Sequence, residues 1–221
     1  MSIKYFITGT DTEIGKTYAS VGLLKAFNRL NYTTLGLKPV ASGILAGDLF
    51  PTDTVALHEA ASIKIPLEEM TPFAFHLATA PHIAAHQLQQ DLNLSSLNEA
   101  CHTALQKNAD IFIIEGFGGW FAPLNHQETM ADFVKHHCFN VILVVGMRLG
   151  CLNHAMLTEK AIQQAGLKPT GWIANCIHPN MLFLEENIDT LQQCLTMPFL
   201  GTIGFREKAE DCLTLSPLIT L

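Results

Sequence analysis

A chain of 221 residues, 48% of them hydrophobic, suits one sizeable α/β domain spanning residues 1–221. Its formal net charge of −7 argues against a general nucleic-acid binder or a protein held on an anionic membrane, so a nucleotide site must be a local positive focus in an acidic molecule. No apolar run is long enough to span a membrane and no signal-peptide layout opens the chain, while the six scattered cysteines contain no Cys-x-x-Cys pair and read as reduced thiols of a cytoplasmic protein.

The first strand is expected over residues 4–8. It runs into Gly9-Thr-Asp-Thr-Glu-Ile-Gly15-Lys16-Thr17, where a helical pattern over 16–30 begins. Strand, Gly-Lys-Thr and helix in that order form the layout of a phosphate-binding P-loop. Backbone N–H groups there point at anionic oxygens, Lys16 adds a point charge near the outer phosphates, and the Thr17 hydroxyl can ligate Mg²⁺. Five residues separate the two glycines instead of the usual four, with Thr10 where the first glycine is expected.

A second strand over 34–38 ends in Lys38 and opens Lys38-Pro-Val-Ala-Ser42-Gly43. Lys38 reads either as a second cation for transferred phosphate or a carboxylated intermediate, or as a solvated lysine before a turn. Ser42 can hydrogen-bond a substrate, but a serine before glycine is a commonplace of loops. Residues 43–51 form a loop, followed by a helix over 54–61. Two roles compete for Asp53, capping that helix and binding a metal. Helices follow over 82–89 and 96–106. His82 and His86 lie four apart but lack an adjacent glutamate and a third ligand, so they do not make a zinc-protease site.

The strand over 111–115 ends in Glu115 and opens Glu115-Gly-Phe-Gly-Gly-Trp120. An acid after four apolar residues is where such proteins hold Mg²⁺, and Gly118 and Gly119 let backbone approach a ligand closely. A helix over 130–137 and a strand over 141–146 lead to Gly150-Cys151-Leu152-Asn153, which opens a helix over 153–165. Free N–H groups there can receive a carboxylate, although such groups ordinarily find a cap or water. The strand over 171–175 ends in Asn175, and a helix over 181–195 and a strand over 199–203 complete the pattern. Strands apolar on both faces, such as Ile111-Phe-Ile-Ile and Val141-Ile-Leu-Val-Val, belong inside a parallel sheet. The expected fold is therefore α/β, a three-layer, doubly wound, mostly parallel sheet of P-loop type, with its ligands at the carboxyl edge.

Taken in order, these blocks resemble the dethiobiotin synthetase family from residue 3 to about 203: residues 5–17, 38–43, Asp53, Pro81-His82, 115–120, 141–146 and 149–155. The resemblance implies an ATP- and Mg²⁺-dependent closure of a cyclic urea on 7,8-diaminononanoate with CO₂ (supplied as bicarbonate), by a homodimer. It assigns Lys16 to the β- and γ-phosphates, and Thr17, Asp53 and Glu115 to Mg²⁺. Glu13, Ile14, Gly15, Tyr18, Glu115, Gly118 and Asn175 would serve the nucleotide, with Asn175 on the adenine. Lys38 would face the carbamate, with Thr12, Ser42 and Gly118 beside it. The segment Gly150, Cys151, Leu152 and Asn153 would meet the substrate's carboxylate tail with contributions from both subunits. Two departures stand out: Phe117 fills a slot that is usually small, and Ile203-Gly204-Phe205-Arg206 lacks a proline after the isoleucine.

Two rivals share the P-loop. A partitioning-type ATPase switch carries a second lysine near the loop's start, and none occurs from Gly9 to Ile14. Corrinoid amidotransferases carry a glutaminase domain, for which the chain has no room, and no cysteine sits in a recognisable nucleophile motif.

Overall fold

The computed structural model describes residues 2–167 and 169–219. In chain order its elements are β1 (Ile3–Gly9), α1 (Lys16–Arg29), β2 (Thr34–Leu37), β3 (Val40–Ser42), α2 (Thr52–Ala60), α3 (Leu67–Met70), β4 (Phe73–Phe75), α4 (Pro81–Gln87), α5 (Leu94–Leu105), β5 (Ile111–Glu115), α6 (Met130–His137), β6 (Asn140–Gly146), α7 (Cys151–Gln164), β7 (Pro169–Asn175), α8 (Leu184–Cys194), β8 (Phe199–Ile203), α9 (Ala209–Cys212) and α10 (Ser216–Ile219).

Six strands form one sheet in the order β2-β5-β1-β6-β7-β8, and every pairing in it is parallel. Parallel strands need crossovers, and the intervening helices cover the sheet. That covering explains the apolar runs: β5 is buried at all five positions, and β6 at all but its first. Alternate residues of β6 serve opposite faces. Leu143 and Val145 pack with Cys151, Ala155, Trp172, Ile188 and Leu191 under α7 and α8. Ile142 and Val144 join the larger cluster that includes Phe6, Leu23, Phe27, Phe112 and Phe133, as does Val141, which lies beyond a shift in register between it and Ile142.

The sheet has its expected strands, with one shortened. β2 stops at Leu37, not Lys38, because Pro39 has no N–H to continue a ladder and the Lys38 amide turns to the Met70 carbonyl at 3.0 Å. The chain then leaves the main sheet, and β3 pairs in parallel with β4, a strand of three residues too short for periodicity to reveal. α7 starts two residues before its expected onset, with Gly150 as a left-handed N-cap at φ 94°. α8 starts three residues late, after Phe183 at φ 55°. The chain turns outward between β1, β5 and β6, so the P-loop opens at the point where strand order diverges.

Candidate active site

The register brings the carboxyl ends of the strands into one line. Ile7 faces Glu115, Gly9 faces Val144, and Gly146 faces Asn175. Around this edge lies a cavity of about 940 Å³. Its wall includes Thr12, Glu13, Gly15, Lys16, Thr17, Lys38, Ser42, Asp53, Glu115 and Gly118. The P-loop, two strand ends, two helix starts and the adjoining loops thus deliver ten of the residues expected at the site to one place.

The unusual loop spacing has a packing cause. Thr10 extends the β1 ladder, its N–H bonding the Val144 carbonyl at 3.1 Å. A β-carbon on Gly9 would lie 2.8 Å from Ile14 Cδ1 and 3.1 Å from Lys16 Cδ. One on Gly146 would lie 2.6 Å from Ile14 Cγ2. Ile14 is therefore buried as a plug between two glycines and anchors the loop from beneath; it does not line the cavity. Glu13 is left-handed at φ 58°, a strain on the order of 1–3 kcal/mol for a side-chain-bearing residue and a common feature of ligand clamps. Gly15 must be glycine on two counts: its φ is 82°, and Asn175 Nδ2 sits 2.1 Å from where a β-carbon would stand.

Lys16 Nζ donates to the Asp11 carbonyl at 2.8 Å. Burial, followed by repulsion from Lys38, pulls its ammonium down to about 8 despite the nearby acids. Lys38 lies deeper. Its ammonium pairs with Glu115 Oε1 and with Asp53 Oδ2 at 3.2 Å, and donates to the Gly116 carbonyl at 3.1 Å. Burial alone would lower Lys38, but the two carboxylates reverse that and hold it above the ordinary lysine value. Of its two readings from sequence, the solvated lysine is excluded by 4% side-chain exposure.

Asp53 does not cap its helix. The helix starts at Thr52 with Pro51 at the N-cap position, Asp53 makes no capping bond, and its carboxylate turns to Lys38 in the cavity. Thr17 Oγ1 donates to Glu115 Oε1 at 2.8 Å, while Glu115 Oε2 is buried without a partner. Such an orphaned oxygen is costly unless a ligand or water satisfies it. Thr17, Asp53 and Glu115 supply only oxygen donors, which suits a hard ion such as Mg²⁺. No group of three His, Cys, Asp or Glu side chains gathers as a metal site among the described residues, so phosphate oxygens and water must complete any Mg²⁺ shell here.

The remaining expected residues lie outside the cavity wall. Asn175 is buried and donates through Nδ2 to the Ile14 carbonyl at 2.7 Å, buttressing the P-loop from behind. Tyr18 donates its hydroxyl to the Glu207 carbonyl, tying α1 to the 204–207 turn. In that turn the Gly204 N–H, which proline would lack, donates to Glu207 Oε2 at 3.3 Å. Gly150 and Asn153 are exposed, Leu152 is half-buried, and Cys151 is buried. Sequence reasoning missed Asp11 and Arg148, which form an ion pair between the P-loop and the segment before α7. It also missed the small residues Ala41, Ala78, Ala80, Ala122 and Pro123 of the wall. Nothing in an isolated alanine signals a pocket, whereas the opposite charges of Asp11 and Arg148 were visible but 137 residues apart.

The fold recurs in other solved proteins. The septum site-determining protein MinD from Pyrococcus horikoshii, solved with Mg-ADP, superposes with a TM-score of 0.57 at 18% identity, covering 96% of this chain and 86% of that one. Chloroplast FtsY from Physcomitrella patens gives 0.56 at 16% identity, covering 99% and 63%. At those identities the likeness concerns the fold alone. A family described as "AAA domain" matches residues 4–211. ATP-dependent dethiobiotin synthetase BioD 1 of Salmonella typhi is 44% identical over 226 residues, spanning 99% of each chain. The BioD of Cellvibrio japonicus is 42% identical over 222 residues, spanning 97% of each. With identity at this level running through nearly the full length of both relatives, and with the P-loop, Lys38, Asp53 and Glu115 gathered at one edge, the chain belongs to the ATP-dependent dethiobiotin synthetases.

Proposed function

We propose that this protein closes the ureido ring of dethiobiotin on 7,8-diaminononanoate, using CO₂ and ATP and releasing ADP and phosphate. The observation that carries this reading is the Lys38 ammonium buried between Asp53 and Glu115 in the same cavity as the P-loop Lys16. A phosphoryl-transfer site needs the P-loop cation; a second, desolvated cation beside it suits a carboxylated intermediate.

One amine of the substrate adds to CO₂ and loses a proton, giving a carbamate. Lys38 stabilises the carbamate's negative oxygens, and the hydroxyls of Thr12 and Ser42 hydrogen-bond the same end. A carbamate oxygen then attacks the γ-phosphorus and ADP leaves, with Lys16 holding the β- and γ-oxygens. The product is a carbamic–phosphoric anhydride. The second amine attacks its carbonyl carbon, the C–O bond to phosphate breaks, and the ring closes. Holding both amines beside one carbonyl is largely proximity catalysis. Thr17, Asp53 and Glu115 would hold Mg²⁺, which neutralises phosphate charge when bound. Asn175, with its Nδ2 committed to Ile14, has Oδ1 left to accept from an adenine amino group.

The tail-binding segment 150–153 lies outside the cavity lining, which favours a homodimer in which a second copy helps complete the substrate site. Exposed apolar residues flanking that segment support this, with Leu149 99% accessible and Leu157 also exposed. Six free cysteines favour the reducing cytoplasm, and no helix among the described residues is long and apolar enough to cross a membrane.

The test is phosphate release from Mg·ATP with bicarbonate, with and without 7,8-diaminononanoate, while the product is followed by mass. Diamine-dependent release with the mass of the cyclic urea is expected. Release that ignores the diamine would overturn the reading in favour of an ATPase switch.

A further inference from the structure

Small side chains recur in the cavity lining: Ala41, Ala78, Ala80, Ala122 and Pro123. Phe117 is the one aromatic residue in the whole lining. It is half-buried, with part of its surface packed against the main hydrophobic cluster while it lines the cavity. Its position is held by the backbone around it. A β-carbon on Gly116 would lie 2.6 Å from Phe6 Cζ, so the chain there is pressed onto the β1 layer. Gly118 is left-handed at φ 57° and turns the loop back toward Thr12 and Ala122. With glycine on both sides fixing the path, and core side chains behind, the ring has little freedom to withdraw.

We infer that Phe117 is a specificity-determining residue that limits the size of the shorter arm of the diamine substrate. The inference rests on the reaction proposed above. The vicinal diamine has two arms, a long one ending in carboxylate and a short one ending in methyl. The cationic side chains lining the cavity are Lys16 and Lys38, and both serve phosphate and carbamate. The carboxylate tail must therefore leave the cavity for another partner, and the short arm stays inside against the apolar wall. The alanines grant it room for a methyl group, and the Phe117 ring removes the room for more. One methylene too many in an apolar pocket costs on the order of 10-fold or more in kcat/KM. Shrinking Phe117, which lines the cavity, opens space continuous with it.

The experiment compares wild type, Phe117→Ala and Phe117→Leu. Cyclic-urea formation is measured with Mg·ATP, bicarbonate and three diamino acids that share the same tail but end in methyl, ethyl or propyl. Wild type is expected to lose at least about 10-fold in kcat/KM from methyl to ethyl and more for propyl. Phe117→Ala is expected to flatten or invert that order while leaving the KM for ATP within about two-fold. Phe117→Leu is expected to relax the ethyl penalty alone, and it carries the test if the alanine variant does not fold. A methyl-to-ethyl ratio in the variants equal to that of wild type would overturn the inference and leave the reaction intact. Failure of wild type to make any cyclic urea from the methyl compound would overturn the reaction itself, and the inference with it.

Discussion

Lys16 and Lys38 share one sequence-level description, a lysine at the end of a strand or loop, yet their surroundings drive them apart. Lys16 is desolvated and lies near another cation, so its ammonium is lowered from 10.5 to about 8. In free enzyme its charge is lost as pH rises through about 8, so kcat/KM for ATP should fall above that pH and be flat just below it. The stability effect has the opposite sign. The unfolded chain holds the lysine's proton up to about 10.5, so between about 8 and 10.5 it binds more protons than the native state, and this residue's contribution to stability rises with pH. Replacing Lys16 with alanine should cut turnover by at least about 10²–10³, as removal of a preorganised transition-state donor does. A pH–rate profile and single-turnover kinetics check both statements.

Lys38 is held above its ordinary range because its acids outweigh its burial. Lys38→Met would leave Glu115 buried and uncompensated, which costs about 3–5 kcal/mol. Denaturant unfolding should read that loss. If Glu115, Asp53 and Thr17 form a cation site, added Mg²⁺ without nucleotide should restore more stability to Lys38→Met than it adds to wild type.

At the scale of elements, the P-loop is joined to the start of α7 by one side-chain contact. Asp11 accepts the Thr12 N–H at 2.8 Å and the Arg148 guanidinium, while its carbonyl takes Lys16. Arg148 in turn offers its carbonyl to the Cys151 N–H at 3.0 Å, within the turn that opens the helix. Both charged side chains are nearly half exposed, so the pair is worth about 0.2–1 kcal/mol and is screened by salt. Arg148→Ala should raise the KM for the diamine by no more than about five-fold, barely move thermal unfolding, and match wild type at high salt. Steady-state kinetics at two ionic strengths would test this.

The elements were legible, but their boundaries did not follow length: α7 and α8 begin two residues before and three residues after their expected starts. β5, β8 and α6 fall on their expected residues. β3 and β4 escaped because three residues carry no period, and their pairing depends on where Pro39 sends the chain. In the site, the P-loop Lys16 and the strand-end Glu115 could be placed from local pattern, whereas Lys38 had two readings until its burial between carboxylates decided between them. Asp53 could be placed but not assigned, because capping and charge pairing use the same side chain and only its neighbours decide between them. Asn175 was readable as a strand-end residue, but not its bond to Ile14, since a contact across 161 positions leaves no local trace.

For the whole molecule, the acidic surface and the cavity's two lysines divide the work. Net negative charge keeps the protein away from polyanions, and the desolvated cations act only at short range. The exposed apolar residues at the start of α7 belong to assembly on the proposal above. Leu149→Asp should convert a dimer to monomers by light scattering and weaken binding of the diamine more than that of ATP, because segment 150–153 is expected to serve the substrate tail.

The strand order has a consequence for how this protein is made. β1 emerges first from the ribosome, but its partners are β5 and β6, more than 100 residues downstream. Until residue 115 has been synthesised, the apolar residues Tyr5, Phe6 and Ile7 have no neighbours in the sheet, and until residue 146 Ile14 has no Gly146 to seat it. The nucleotide-binding loop, first in sequence, is therefore among the last parts to acquire its shape. Nascent chains should remain unable to hold ATP, and exposed to chaperones, for well over half of translation.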